Sequence, residues 1–340
     1  MKTRLFSICL VAALLFSMSS CFLFEKKDDD NTSSNATPTI NIYTLNGTTG
    51  FGMAKLMNDA KANKTTEKYN FSVQTDASMV TSALLNGSAD IAALPTNAAA
   101  NIYNKSEGGV AVLAVNTLGC LYLLTNQNAT VTSFEDLRGK TVYVPAQNPT
   151  FIFTYLCKQN GLNVGTDITI DSTTYAQPAA LKDAVAAGAV DIAVLPEPMV
   201  TIAINAAKSA NNGTVITNAM DLTVEWNKVS PEGSLVQGCV VVRRAFLEQY
   251  PEAVENFLKE YKASIEYLST DVDSAAQMIV DNGIFTNAGV AKKALPNCNV
   301  CFLDGATMKS AMETYLGILK GIAPASIGGK LPADNFYYAK

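Results

Sequence analysis

Side chains able to hold a small molecule recur in this 340-residue chain where apolar runs end. Thr48, Thr49, Gly50 and Phe51 follow the run that ends at Leu45, and Thr96 and Asn97 follow Leu94-Pro95. Gln147, Asn148 and Thr150 come after Val144-Pro145, Tyr175 and Gln177 after Ile168-Thr169-Ile170, and Glu197 after Leu195-Pro196. Hydroxyls, carboxamides and free backbone N–H groups at a helix start bind a carbonyl or an anion without activating it. The same groups also serve as plain helix caps, and the Glu-Pro context of Glu197 has a structural reading beside the binding one. Trp226, the single Trp, fits a stacking platform for a heteroaromatic ring or a packing position in the core or between lobes. The set holds one carboxylate and no Arg or Lys. Arg is the expected partner of a compact anion, although helix N-termini can substitute. One carboxylate among amides and hydroxyls better suits a neutral or weakly basic ring.

Catalysis has little to work with. The chain has no His. That removes the usual general base, the Ser-His-Asp and Cys-His arrangements, and the commonest zinc ligand. No catalytic residue, metal or cofactor is expected. Beyond Cys9 and Cys21, the cysteines are Cys120, Cys157, Cys239, Cys298 and Cys301. Cys298 and Cys301 form a lone C-x-x-C with no second pair, which fits buried thiols as well as one local disulfide. Lys and Arg number 25 against 30 Asp and Glu, so no basic face for nucleic acid is expected.

The elements that must position these residues show in a repeat. Ala83-Leu84-Leu85-Asn86-Gly87-Ser88-Ala89-Asp90-Ile91-Ala92-Ala93-Leu94-Pro95 returns as Ala184 to Pro196 with Gly188 and Asp191 in the matching places. In each copy a helix ends at a Gly in the left-handed cap, and a short apolar strand follows and stops at Pro. Two copies predict two α/β lobes whose strand exits face a common cleft. Strands are expected at 39–45, 71–75, 90–94, 141–145, 168–170 and 191–195, with one long strand over 110–125 crossing between lobes and a return strand over 236–243. Helices are expected at 51–62, 98–104, 149–160, 179–187, 244–268, 274–281 and 307–321. Another helix should turn Met79, Ala83 and Leu84 inward. A short helix at 134–137 should be capped by Ser133 and Asp136. The pattern predicts an α/β fold of two lobes with a two-strand hinge and helices around parallel-rich sheets, the tail helices packing on the first lobe.

The first 20 residues read as a targeting segment: Lys2 and Arg4, then an apolar stretch to Met18. Met18-Ser19-Ser20-Cys21 resembles the lipobox of bacterial lipoproteins, which implies cleavage before Cys21 and its lipidation. Residues 21–37 are polar and read as a disordered tether. Lobe 1 is then expected over 38–124 and 237–340, and lobe 2 over 125–236.

Ser133-Phe134-Glu135-Asp136-Leu137-Arg138-Gly139-Lys140-Thr141-Val142-Tyr143-Val144 resembles the phrase that opens the second lobe in substrate-binding proteins of ABC importers. The segments at 90–97 and 191–198 resemble that family's two strand exits, and Arg244 to Pro251 its return helix. The branch resembled is that of nitrate, sulfonate, taurine and thiamine-precursor pyrimidine binders (NMT1/THI5-like), over roughly residues 38–325. The resemblance implies a type II periplasmic-binding fold and a monomer tethered outside the cytoplasm by the acylated Cys21. It also implies two lobes that clamp a small solute, a pyrimidine-like vitamin precursor or a sulfonate-type molecule, and hand it to a membrane permease. Two alternatives share the fold: a ligand-sensing module for a membrane receptor, and an enzyme of thiamine-pyrimidine or menaquinone biosynthesis. The pyrimidine synthases depend on a His that this chain lacks, and the menaquinone enzymes work in the cytoplasm.

Overall fold

Both copies of the repeat fold as expected, and they organise the molecule. The computed structural model describes residues 38–211 and 213–339; the targeting segment, Cys21 and the tether lie outside them. In chain order the first lobe holds β1 (Ile40–Leu45), α1 (Thr48–Phe51), α2 (Ala54–Lys61), β2 (Tyr69–Gln74), α3 (Ala77–Leu85), β3 (Ile91–Pro95), α4 (Thr96–Lys105) and β4 (Val110–Thr117). The second holds β5 (Leu121–Thr125), β6 (Thr141–Tyr143), α5 (Asn148–Gln159), β7 (Thr169–Asp171), α6 (Pro178–Ala186), β8 (Ile192–Pro196), α7 (Met199–Ala210), β9 (Thr217–Asp221) and α8 (Leu222–Val229). The chain then returns as β10 (Gly238–Arg243), α9 (Arg244–Gln249), α10 (Pro251–Thr270), α11 (Val272–Asp281), α12 (Ala288–Ala294), β11 (Val300–Leu303) and α13 (Gly305–Ile322).

Gly87 at φ 80° and Gly188 at φ 72° end α3 and α6 in the left-handed region, where an L side chain is strained. The strands that follow occupy equivalent places. β3 lies between parallel β1 and antiparallel β10 in the sheet β11-β4-β10-β3-β1-β2; β8 lies between parallel β6 and antiparallel β5 in the sheet β7-β6-β8-β5-β9. Both sheets are therefore mixed. The βαβ strands run parallel, and β5 and β10, the strands by which the chain enters each lobe from the other, run against them.

The expected single strand over 110–125 is two strands in different sheets, broken at Leu118-Gly119-Cys120. A Cβ on Gly119 would sit 2.3 Å from Thr223 Oγ1 and 2.5 Å from Leu235 Cδ2. The backbone of the crossing is satisfied by neighbours instead of a ladder. Leu118 N donates to Asn299 O at 3.0 Å, Asn299 Nδ2 to Gly119 O at 2.5 Å, and Cys120 N to Gln237 Oε1 at 2.7 Å. Two expected helices are also broken, at Gly52-Met53 and at Tyr250, where Pro251 starts a new helix. Met79 is 52% exposed, and Val80 takes the inward place with Ala83 and Leu84.

Apolar cores lie on both faces of the first sheet. Phe51, Met53, Leu56, Phe257 and Tyr261 fill one face. The other is continuous from Leu84 and Ala99 through Met312 and Tyr315 to Phe153 and Trp226, so α13 binds the lobes together. A third cluster seats α6 and α7 on the second sheet. All five cysteines of the described residues are free thiols, so Cys298 and Cys301 form no bridge. No helix of the described residues is long and apolar enough to cross a membrane.

Candidate functional site

Strand direction puts the predicted residues at one place. Gly238, the first residue of β10, lies opposite both Pro95 and Thr117, and Leu121 lies opposite Pro196. The carboxyl ends of β3, β4 and β8 thus converge on the crossing segments. In α/β sheets this is where ligands sit.

A cavity of about 560 Å³ lies between the lobes. Its walls come from α4 (Asn97, Ala98, Asn101 and Ile102), α5 with its preceding residue (Phe151 and Gln147), Thr81, and the stretch after α13 (Ala323 to Ser326). No charged residue lines it. Neither α4 nor α5 has a side-chain cap at its start, so backbone N–H groups of both first turns are left to other acceptors. Asn97 is 7% exposed, and its Oδ1 is buried without a hydrogen-bond partner. A buried acceptor left unpaired costs about 1–3 kcal/mol. Gln147 has φ 66° and ψ −126°, a conformation an L residue rarely adopts; such strain costs of order 1–3 kcal/mol and gathers at functional sites. Ala146 N donates to Ala176 O at 2.9 Å, which brings the loop of Tyr175 and Gln177 beside Gln147. Tyr175 packs edge-on against Tyr143, with ring centroids 5.7 Å apart.

The lobes also touch directly. Thr48 Oγ1 donates to Glu197 O at 2.8 Å, and Tyr122 OH donates to Asn297 O at 2.9 Å. Tyr315 OH of α13 donates to Asn148 Oδ1 of α5 at 2.6 Å. Around the first contact lie Cys120 and Cys298. Burial, with the Glu197 carboxylate nearby, pushes the Cys120 thiol up to about 12. The Cys298 thiol is raised well above its ordinary value, again chiefly by burial. These thiols are protonated and chemically quiet.

Several predicted residues are spent on the fold. Glu197, 4% exposed, turns its carboxylate to its own helix, accepting from Thr201 N at 3.1 Å and Thr201 Oγ1 at 2.9 Å. It caps the first turn of α7. Burial raises its carboxyl above the usual range despite those bonds. Trp226 is fully buried, donates from Nε1 to Ser234 Oγ at 2.8 Å, and packs against Tyr155 and Tyr315. It takes the packing role and cannot serve as a platform. Phe51 is likewise buried, edge-on to Phe285. A Cβ on Gly50 would meet Leu45 O at 2.1 Å, so this Gly permits a close backbone approach. Thr49 O accepts from Asn116 Nδ2 at 3.2 Å, and Thr150 Oγ1 donates to Pro145 O at 2.7 Å. Thr96 is fully buried against Cys239. Of the predicted set, Asn97 and Gln147 line the cavity, Tyr175 and Gln177 lie in the loop bonded next to Gln147, and Thr48, Asn148 and Glu197 are in the contacts between lobes.

The sequence reading missed Asn101 and Phe151. Each lies one helical turn beyond a predicted residue, at i+4 from Asn97 and Gln147 on the same face. Helical spacing could have found them. It could not have found Tyr315 or Ala323 to Ser326, which arrive from far along the chain.

Two α/β lobes with a cavity between their strand exits define a periplasmic-binding-protein fold of type II. The ABC transporter phosphonate periplasmic substrate-binding protein family matches residues 54–282. The chain belongs to this family. Among solved structures, an ABC transporter protein from Parabacteroides distasonis is similar at 22% identity and TM-score 0.72, over 89% of this chain and 99% of that one. The periplasmic aliphatic sulphonate binding protein SsuA from Escherichia coli is similar at 14% identity and TM-score 0.67, over 86% and 96%. The periplasmic nitrate-binding protein NrtA from Synechocystis PCC 6803 gives 15% identity and TM-score 0.60, over 85% and 83%. A search of curated proteins found no match.

Proposed function

We propose that this protein is the lipid-anchored solute receptor of an ABC importer, closing its lobes on a small molecule that it hands to a membrane permease. The observation that carries the reading is the cavity shared by α4 of one lobe and α5 of the other. A solute touching both walls binds the closed arrangement better than an open one, and that difference drives closure. Lobe 1 is residues 38–117 and 238–339 and lobe 2, which starts with β5, is residues 121–237, hinged at Leu118–Cys120 and at the return before Gly238. The protein acts as a monomer and performs no chemistry on its solute. The cysteines nearest the lobe contacts are buried, protonated thiols, which suits binding.

The sequence resemblance brings two solute classes, a pyrimidine-like vitamin precursor of the NMT1/THI5-like group and a sulfonate-type molecule. An uncharged wall of amides and apolar groups favours the ring. Calorimetric titration with pyrimidines and alkanesulfonates tests this: pyrimidines should release binding heat, and heat from sulfonates alone would overturn the choice. Anchoring rests on Cys21 in its lipobox-like context. The full chain should incorporate labelled fatty acid and sediment with membranes, and C21A should do neither; membrane association unchanged in C21A would contradict the anchor.

A further inference from the structure

Asn97 sets a requirement on the solute that the shape of the cavity does not. It is 7% exposed, it lines the space between the lobes, and its Oδ1 has no hydrogen-bond partner. Nearly all buried acceptors in folded proteins are paired. An oxygen left orphaned at a lobe interface is one that a molecule entering between the lobes is placed to satisfy. Only a donor can do so. Sulfonate and nitrate carry acceptors alone at neutral pH. The cavity wall has no Arg or Lys to offset the charge they would bring. The starts of α4 and α5 have no side-chain caps. Thr96 N is given to Gln237 O at 3.1 Å and Pro149 has no N–H, which leaves the N–H groups of Asn97, Ala98, Asn148 and Thr150 to take an acceptor on the same solute. Phe151 and Ile102 supply an apolar surface.

We infer that Asn97 is the specificity-determining residue of the site and that it selects an uncharged solute with an N–H or O–H donor beside an acceptor, as on a lactam or primary carboxamide edge. This rests on the solute-receptor reading and sharpens it. It also sets the protein apart from its sulphonate- and nitrate-binding structural neighbours, since a site that pairs a donor rejects analogues lacking one.

The test uses N97A, which removes the acceptor without adding bulk to the site, and N97D, which keeps an acceptor. The probes are uracil and nicotinamide against methanesulfonate and nitrate, read by thermal shift and calorimetry. Uracil or nicotinamide should stabilise wild type and N97D, and N97A should lose about tenfold or more in affinity. Unchanged affinity of N97A for uracil and nicotinamide would overturn the inference. A panel in which no donor-bearing probe outdoes methanesulfonate and nitrate would also overturn it. If those anions bind and compact the protein in solution scattering, the solute-receptor reading stands while the Asn97 requirement falls. If they bind without compaction, the receptor reading falls with it.

Discussion

Glu197 is the residue whose charge is most constrained. It lies almost fully buried and gives its carboxylate to the first turn of α7. Burial raises its carboxyl above the ordinary 4.5. The folded state therefore holds the proton more tightly than the unfolded chain does. The stability this group contributes is full below pH 4.5 and is lost as pH rises through the raised value. E197Q, a mimic of the neutral form, should melt above wild type at neutral pH, and the gap should close as pH falls toward 4.5 in a series of thermal melts. A gap that widens on acidification would assign the opposite sign. Trp226 gives a second prediction. W226A empties a fully buried site between Tyr155 and Tyr315 and should cost about 3–5 kcal/mol in denaturant unfolding. A small loss would mean the aromatic group is not the joint between the lobes.

Among the elements, the paired turns before β3 and β8 separate backbone strain from steric conflict. Gly87 and Gly188 share the left-handed conformation. A Cβ at Gly87 meets nothing within 4 Å, whereas one at Gly188 meets Thr214 Oγ1 at 2.7 Å. G87A should cost about 1–2 kcal/mol from conformation alone, and G188A more than that; equal losses would show that Thr214 yields freely. The strut from α13 to α5 is tested by Y315F, which removes the donor to Asn148 and should cost about 1 kcal/mol in equilibrium unfolding. These elements also mark what the sequence could say. The repeat was legible because helix, glycine, strand and proline lie within thirteen consecutive residues, a purely local pattern. The exits of β1, β3, β6 and β8 were legible for the same reason, so Asn97 and Gln147 could be placed at the cleft. The break at Gly119 was not, because apolar residues flank it and its cause lies in Thr223, Leu235 and Asn299. The burial of Trp226 and the capping by Glu197 were open on paper, since each residue fits two environments that only packing distinguishes.

At the scale of the whole molecule, function rests on the balance between lobe contacts and what fills the space between them. Thr48 to Glu197, Tyr122 to Asn297 and Tyr315 to Asn148 hold the lobes together. Each such bond is worth only about 0.5–1.5 kcal/mol net, and they oppose the unpaired Asn97 oxygen and the strained Gln147 backbone. Such a balance leaves the hinge free to open and lets a solute decide the outcome. The direct measurement is small-angle X-ray scattering of the purified protein before and after saturation with a solute that gives binding heat. The account predicts a smaller radius of gyration on binding. Binding heat with superimposable scattering curves would contradict it.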